Sequence, residues 1–315
     1  MHRNKKRISF VLSFILLVAF LGLFSFQSDA AKKEKDDKKE KKKDTKPKDE
    51  KPQYGEIVFP RKGSIEYQEG TFEIWFKPTY NTMEAMFGSE TNRNTVYFMT
   101  VTPYKRAMNR ASEKSNSDIN LKTPNMGFGI GHMTSGPGGL SFWSKMIDRR
   151  NDPTQGSQDT VFHQIKPIDF KKDQWHYIAV TWKKEGKNYE SEMCIDGVFR
   201  KKSVAPEFED ITFDFEEMYF IVGSHEDCNI AVDSFRVSKK VRTNEEILKS
   251  FESGLSSDDA TLLFHNGASF EKMKKVSERS EPKKCSPKGE IYGASRMVSG
   301  KSGKAILLNV LADLK

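Results

Sequence analysis

From about residue 55 onward, apolar positions recur every second residue in short runs closed by Gly, Pro, Asn or Asp. That period belongs to strands lying on a sheet. In Thr71-Phe72-Glu73-Ile74-Trp75-Phe76-Lys77, residues Phe72, Ile74 and Phe76 share one face, and Glu73, Trp75 and Lys77 the other. The run Trp175-His176-Tyr177-Ile178-Ala179-Val180-Thr181-Trp182 is largely apolar on both faces and predicts a central strand covered on both sides. Asp196-Gly197, set between two strand-like runs, predicts a tight hairpin. Further strands are predicted over 56–59, 63–67, 95–101, 127–132, 139–143, 160–165, 189–195, 198–202, 218–222 and 229–237. The one good helix signal covers 243–252, where Thr243 caps and Glu246 follows three places later as in a capping box. Many strands with one short helix predict an all-β sandwich or barrel.

Two segments of different character precede this body. Arg3, Lys5, Lys6 and Arg7 stand before an uncharged apolar run over 8–26 and then Ser28-Asp29-Ala30-Ala31. That is the order of a signal peptide over 1–30, with cleavage expected after Ala30. An uncleaved anchor is the alternative, since the run is about as long as a spanning helix. Either way the remainder is expected to be exported, to the periplasm, the cell surface or the medium, touching membrane only through this segment if it is uncleaved. Residues 31–51 hold eleven lysines against seven acids and almost no apolar side chain, so they are expected to remain an extended, unfolded spacer.

The net charge of +8 changes meaning once it is divided along the chain. Residues 1–30 carry +3, 31–51 carry +4 and 256–315 carry +4, leaving 52–255 at −3. A nucleic-acid-binding body concentrates basic charge on a folded face, so that function class is set aside. Three cysteines, Cys194, Cys228 and Cys285, exclude a disulfide-built scaffold. Cys194 and Cys228 either pair or remain buried thiols, and no Cys/His spacing suggests zinc.

Taken in order, Gly70 to Pro78, Trp175 to Trp182, Ile195-Asp196-Gly197, and Val232-Asp233-Ser234-Phe235-Arg236-Val237 with Arg242 and Glu245-Glu246-Ile247 resemble bacterial laminin-G-like, concanavalin A-like domains. The resemblance covers about two thirds of the chain, with the domain placed at 52–255. It implies a jelly-roll sandwich of two antiparallel sheets. Residues 256–315 resemble the opening strands of another such domain and are too few to form one. They are expected to add to the first domain's sheet or to remain loosely attached.

The same fold serves lectins, adhesion modules and glycoside hydrolases, so the site must decide. Retaining hydrolases of the laminarinase type resemble one another in a Glu-x-Asp-x-(x)-Glu strand whose carboxylates share a face. The nearest match is Thr212-Phe213-Asp214-Phe215-Glu216, with Thr212 where the nucleophile is needed. No catalytic residue is therefore assigned. His176 is read as a packed imidazole, and His225-Glu226-Asp227-Cys228 as adjacent groups that rarely converge on one metal. Concanavalin A-like domains often hold calcium in loops, and Asp196 and Asp233 match family positions. Their plain readings are a hairpin turn for Asp196 and bonds to loop amides for Asp233.

The long insertion 102–167 holds Tyr104, Arg106, a glycine-rich run ending at His132, and Phe142-Trp143. Loops of this length are functional or disordered. Tyr104, Arg106, His132 and Trp143 are the candidate ligand-binding residues, suited to stacking on sugar rings or to polar recognition of a protein. The plain alternative makes Phe142 and Trp143 core strand residues. The sequence thus predicts an exported, non-catalytic module that binds a polysaccharide or an envelope or extracellular protein. The alternative is a divergent glycoside hydrolase or lyase.

Overall fold

The computed structural model describes residues 55–79, 81, 96–103, 125–133, 139–147, 158–206, 218–223, 230–276 and 286–308. The expected signal segment and spacer, Tyr104, Arg106, the Thr212 to Glu216 run, the His225 to Cys228 cluster and Cys285 lie outside the described residues.

Two sheets share one core. The first runs β14 (Lys274–Val276), β15 (Glu290–Tyr292), β1 (Glu56–Pro60), β11 (Met218–Val222), β3 (Val96–Pro103), β4 (Asn125–Met133), β5 (Gly139–Ile147), β6 (Gln158–Ile165). The second runs β10 (Ser203–Pro206), β8 (Asn188–Ile195), β7 (His176–Glu185), β2 (Glu69–Pro78), β12 (Ile230–Ser238), β17 (Lys304–Leu308), β16 (Ser295–Ser299). To it β9 (Val198–Phe199) adds on β8, and β13 (Thr261–Asn266) on β12. Among the described pairings only β14 with β15 is parallel. The fold class is the expected all-β sandwich of two antiparallel sheets.

Alternation sets the core. Phe72, Ile74 and Phe76 of β2 and Ile178, Val180 and Trp182 of β7 point inward and are buried. They meet the first sheet through ring contacts such as Phe76 with Phe98 at 4.4 Å, Phe59 with Phe235 at 5.8 Å and Phe142 with Trp182 at 5.9 Å. Such aromatic contacts add specificity to large apolar burial. Phe142 is therefore a core residue. The expected central strand is central, with β8 and β2 on its two sides.

Two expectations need correction. Residues 63–67 form a turn and extended loop instead of a strand. The Ser64 amide donates to Arg61 O and its hydroxyl to Pro60 O, closing a turn in which Gly63 has φ 80. Ile65 and Tyr67 still reach the core, so the alternation reflected burial without a ladder partner. The strand expected over 198–202 stops at Phe199, and a separate strand, β10, continues along the same edge of β8, opposite β7.

Residues 261–308 are woven into both sheets. β15 pairs with β1, and β12 carries β13 along 234–238 and β17 along 230–232 on the same edge. Phe270, Ile291, Ile306 and Leu308 are fully buried in the common core. Residues 51–315 form one compact unit.

Candidate functional site

The outer face of the second sheet is covered by helix α1 (Asn244–Ser253), whose capping box is formed as expected by Thr243 and Glu246. Beneath it, Trp75, Tyr177, Ala179 and Cys194 of the sheet make a second apolar cluster with Ile247 of the helix. Glu73 is fully buried in the same layer. Its Oε1 accepts from the Tyr177 hydroxyl at 2.7 Å and its Oε2 from Arg236 Nε at 2.6 Å, with Arg242 Nε at 3.5 Å. Arg236 also donates to Ser250 Oγ on α1 and to Ser256 O. Arg242 makes a two-pronged pair with Asp258, both contacts at 2.8 Å. Burial, then the neighbouring Glu73 carboxylate, pushes the Tyr177 hydroxyl far up, so it remains a donor. The Arg242 bonds hold the Asp258 carboxyl well below the usual range. Every ionic member of this layer has partners, as a buried charge requires. The network fixes α1 to the sheet.

The histidines with described side chains serve the fold. His176 Nε2 accepts from the Lys171 amide at 3.1 Å, leaving Nδ1–H to donate to Asp196 Oδ2 at 2.8 Å. Neither nitrogen is left to move a proton. His265 lies among Phe59, Phe235 and Phe270, and burial holds its imidazole down at about 4. Burial also lowers His163.

The two candidate calcium ligands already hold protein donors. Asp196 is the first residue of the β8–β9 turn, with φ 49 ahead of Gly197 at φ 80. Its Oδ1 accepts from the Tyr177 amide at 2.7 Å. Asp233 is buried between β13 and β17, and its carboxylate accepts from the Lys301 and Ser302 amides and the Ser302 hydroxyl. Strands β7 and β2 separate the two residues. Among the described residues no group of three His, Cys, Asp or Glu side chains is placed to hold a metal. Protein donors therefore engage both carboxylates in the roles of a turn and a loop clamp.

Of the expected ligand-binding residues, Trp143 lies in β5 opposite Gly129 and Val161, and His132 lies in β4 opposite Leu140. The side chains of both positions lie outside the described residues.

A different site emerges where the N-terminal turn of α1 lies across β7 and β8. A cleft of about 330 Å³ is lined there by Thr181, Lys183, Glu190, Glu192, Lys202 and Asn244, with Val241 and Arg242 at its helix side. Glu190 and Glu192 are alternate residues of β8, opposite Lys183 and Thr181 of β7, so they share the outer face. Their charges are lightly engaged. Lys202 reaches Glu190 only at 3.9 Å, and Lys183 turns to Glu185 at 2.7 Å. The half-buried Glu192 carboxylate has no hydrogen-bond or ion-pair partner among the described residues. The pattern Tyr189-Glu190-Ser191-Glu192-Met193 carries the alternation that could have flagged this face.

No protein-family model matches the chain, and no curated protein matches it. Among solved structures it is similar to the SAP-like pentraxin of Limulus polyphemus, at 11% identity over 70% of this chain and 88% of that one, with a TM-score of 0.36. It is similar to the Ruminococcus gnavus IT-sialidase CBM40 bound to alpha2,3 sialyllactose, at 12% identity, 60% and 85% coverage and a TM-score of 0.31. A Bacillus licheniformis beta-glucanase matches at 12% identity, 51% and 55% coverage and a TM-score of 0.23. With these TM-scores below 0.5, the description of the chain as a two-sheet antiparallel sandwich rests on its own strand order and register.

Proposed function

We propose that the chain is an exported, non-catalytic recognition module that binds a polysaccharide or an envelope or extracellular protein. The observation that carries the reading is the cleft beside α1, where carboxylate, ammonium, amide and hydroxyl groups line one concavity and the Glu192 carboxylate has no partner among the described residues. Polar groups converging in a concave site are the usual mark of ligand recognition. The ionic groups beneath α1 and the described histidines are engaged in holding the fold, which leaves this cleft as the most developed open chemistry among the described residues. The signal-like segment and the charged spacer support export and presentation away from a membrane. Glycan-array and pull-down measurements with the full-length protein test the reading. Retention of a ligand of either class, weakened by substitutions in the cleft, is the expected result. Retention of neither would end it.

One observation favours the second reading, a divergent glycoside hydrolase or lyase: Glu190 and Glu192 share one face inside the cleft. That reading requires release of reducing ends or unsaturated ends from a polysaccharide panel, abolished by Glu190→Gln or Glu192→Gln. An inactive wild-type protein on that panel removes it.

A further inference from the structure

We infer that the cleft between β7, β8 and α1 is a subsite for a neutral, hydroxyl-rich saccharide, an inference that rests on the recognition reading above. Three features select that chemistry.

The first concerns anions. A helix N-terminus ordinarily offers free amides to a phosphate, sulfate or carboxylate. Here the end of α1 is already supplied with negative charge. The Thr243 amide donates to Glu246 Oε2 at 2.9 Å, and the Glu246 amide donates to the Thr243 hydroxyl. Glu245's own amide, then Thr243, holds the Glu245 carboxyl below its ordinary range. An anionic ligand would meet these two acids as well as Glu190 and Glu192.

The second concerns cations. Lys183 and Lys202 flank the same carboxylates, and Arg242 stands at the helix side. The lining is therefore mixed in sign. A simple cation gains little from carboxylates interleaved with ammonium groups, and no set of three acidic or imidazole ligands converges among the described residues. Alternating acceptors and donors instead match vicinal hydroxyls, each of which donates and accepts. Hydroxyls would donate to Glu190 and Glu192 and accept from Lys183 and the Asn244 amide.

The third concerns shape. Val241 lines the cleft at 37% exposure, and Val204, 64% exposed, lies directly opposite Glu190 on β10. These are two of the exposed large apolar side chains, set beside a polar floor. A pyranose presents the same division, with C–H groups over its faces and hydroxyls around its edge. The volume suits one or two sugar units of a longer chain.

The test uses the full-length protein in equilibrium titrations with three sets of soluble oligosaccharides: neutral (β-glucan, mannan and xylan fragments), uronate-bearing and sulfated. Wild type, Glu192→Gln, Asn244→Ala and Lys288→Ala, a change at an exposed residue outside the cleft, are compared, each checked for an unchanged thermal melt. The expected result is binding of a neutral set, weakened about tenfold or more by Glu192→Gln and by Asn244→Ala, and unchanged by Lys288→Ala. Neutral-sugar binding that ignores both cleft substitutions overturns the inference while leaving the recognition reading in place. So does binding of charged oligosaccharides only, or of an envelope protein only. Failure to bind any sugar or protein sinks both.

Discussion

Replacing Glu73 by Gln tests whether the ionic layer beneath α1 holds the helix. The carboxylate is fully buried, accepts from Tyr177 and Arg236 at 2.7 and 2.6 Å, and lies 3.5 Å from Arg242 Nε. Gln preserves the shape and one acceptor. It also places an amide N–H₂ where a donor now stands and leaves the Arg236 guanidinium without its counter-charge. Removing one partner from a buried ion pair costs about 3–5 kcal/mol. Arg242 retains Asp258, and Arg236 retains Ser250 and Ser256. We therefore expect the lower end, about 3 kcal/mol. In urea, with a slope of about 3 kcal/mol per molar, the unfolding midpoint should fall by about 1 M. Arg236→Met and the double variant complete a cycle, with an expected coupling of at least about 1.5 kcal/mol. A midpoint shift below about 0.3 M, or strictly additive variants, would refute the claim that this layer fixes the helix.

Four further outcomes are expected. Since burial depresses His265 to about 4 from an ordinary value near 6.5, the unfolded chain binds its proton first. Stability should be level above pH ~6.5 and fall between pH ~6.5 and ~4 by up to about 3 kcal/mol, a slope that His265→Phe reduces in pH-dependent urea melts. Gly197→Ala should cost about 2 kcal/mol in the same assay, because φ is 80 and the added Cβ would lie 2.8 Å from the Phe251 ring; an unchanged midpoint contradicts the turn geometry. Ending the chain after residue 255 removes Phe270, Ile291, Ile306 and Leu308 from the core, at roughly 2 kcal/mol each. The shortened protein should show no cooperative melt, and a native-like one would show that the last strands are dispensable. Finally, EDTA should leave the melting temperature unchanged, whereas a calcium-dependent rise would mean that the donors to Asp196 or Asp233 are displaced.

Strands β2 and β7 were legible because Phe72, Ile74 and Phe76 alternate with polar neighbours, and because both faces of the Trp175 to Trp182 run are apolar. The family-like residues proved to be mostly architectural. Trp75 and Tyr177 pack against Ile247 of α1, Arg236 and Arg242 neutralise Glu73, Asp196 makes a turn and Asp233 clamps the Lys301 to Ser302 amides. A sequence signature of this kind reports how a helix is fixed to a sheet and says little about a ligand. The roles of β14, β15 and β16 were hidden because Lys274–Val276, Glu290–Tyr292 and Ser295–Ser299 are short and mixed in polarity, and β15 joins the sheet through β1, far away in sequence. The cleft was hidden for a related reason. Glu190 and Glu192 read as a solvated strand face until α1, more than fifty residues later, is laid across them.

The pairing of β15 with β1, and of β17 with β12, fixes when the molecule can mature during synthesis. Neither sheet acquires its full set of strands until residues 290–308 have been made, and until then one flank of β1 and part of a flank of β12 stay bare. Such flanks are adhesive to other unfinished chains. The interval before the closing hairpin arrives is therefore when this protein most depends on being held apart from its own copies.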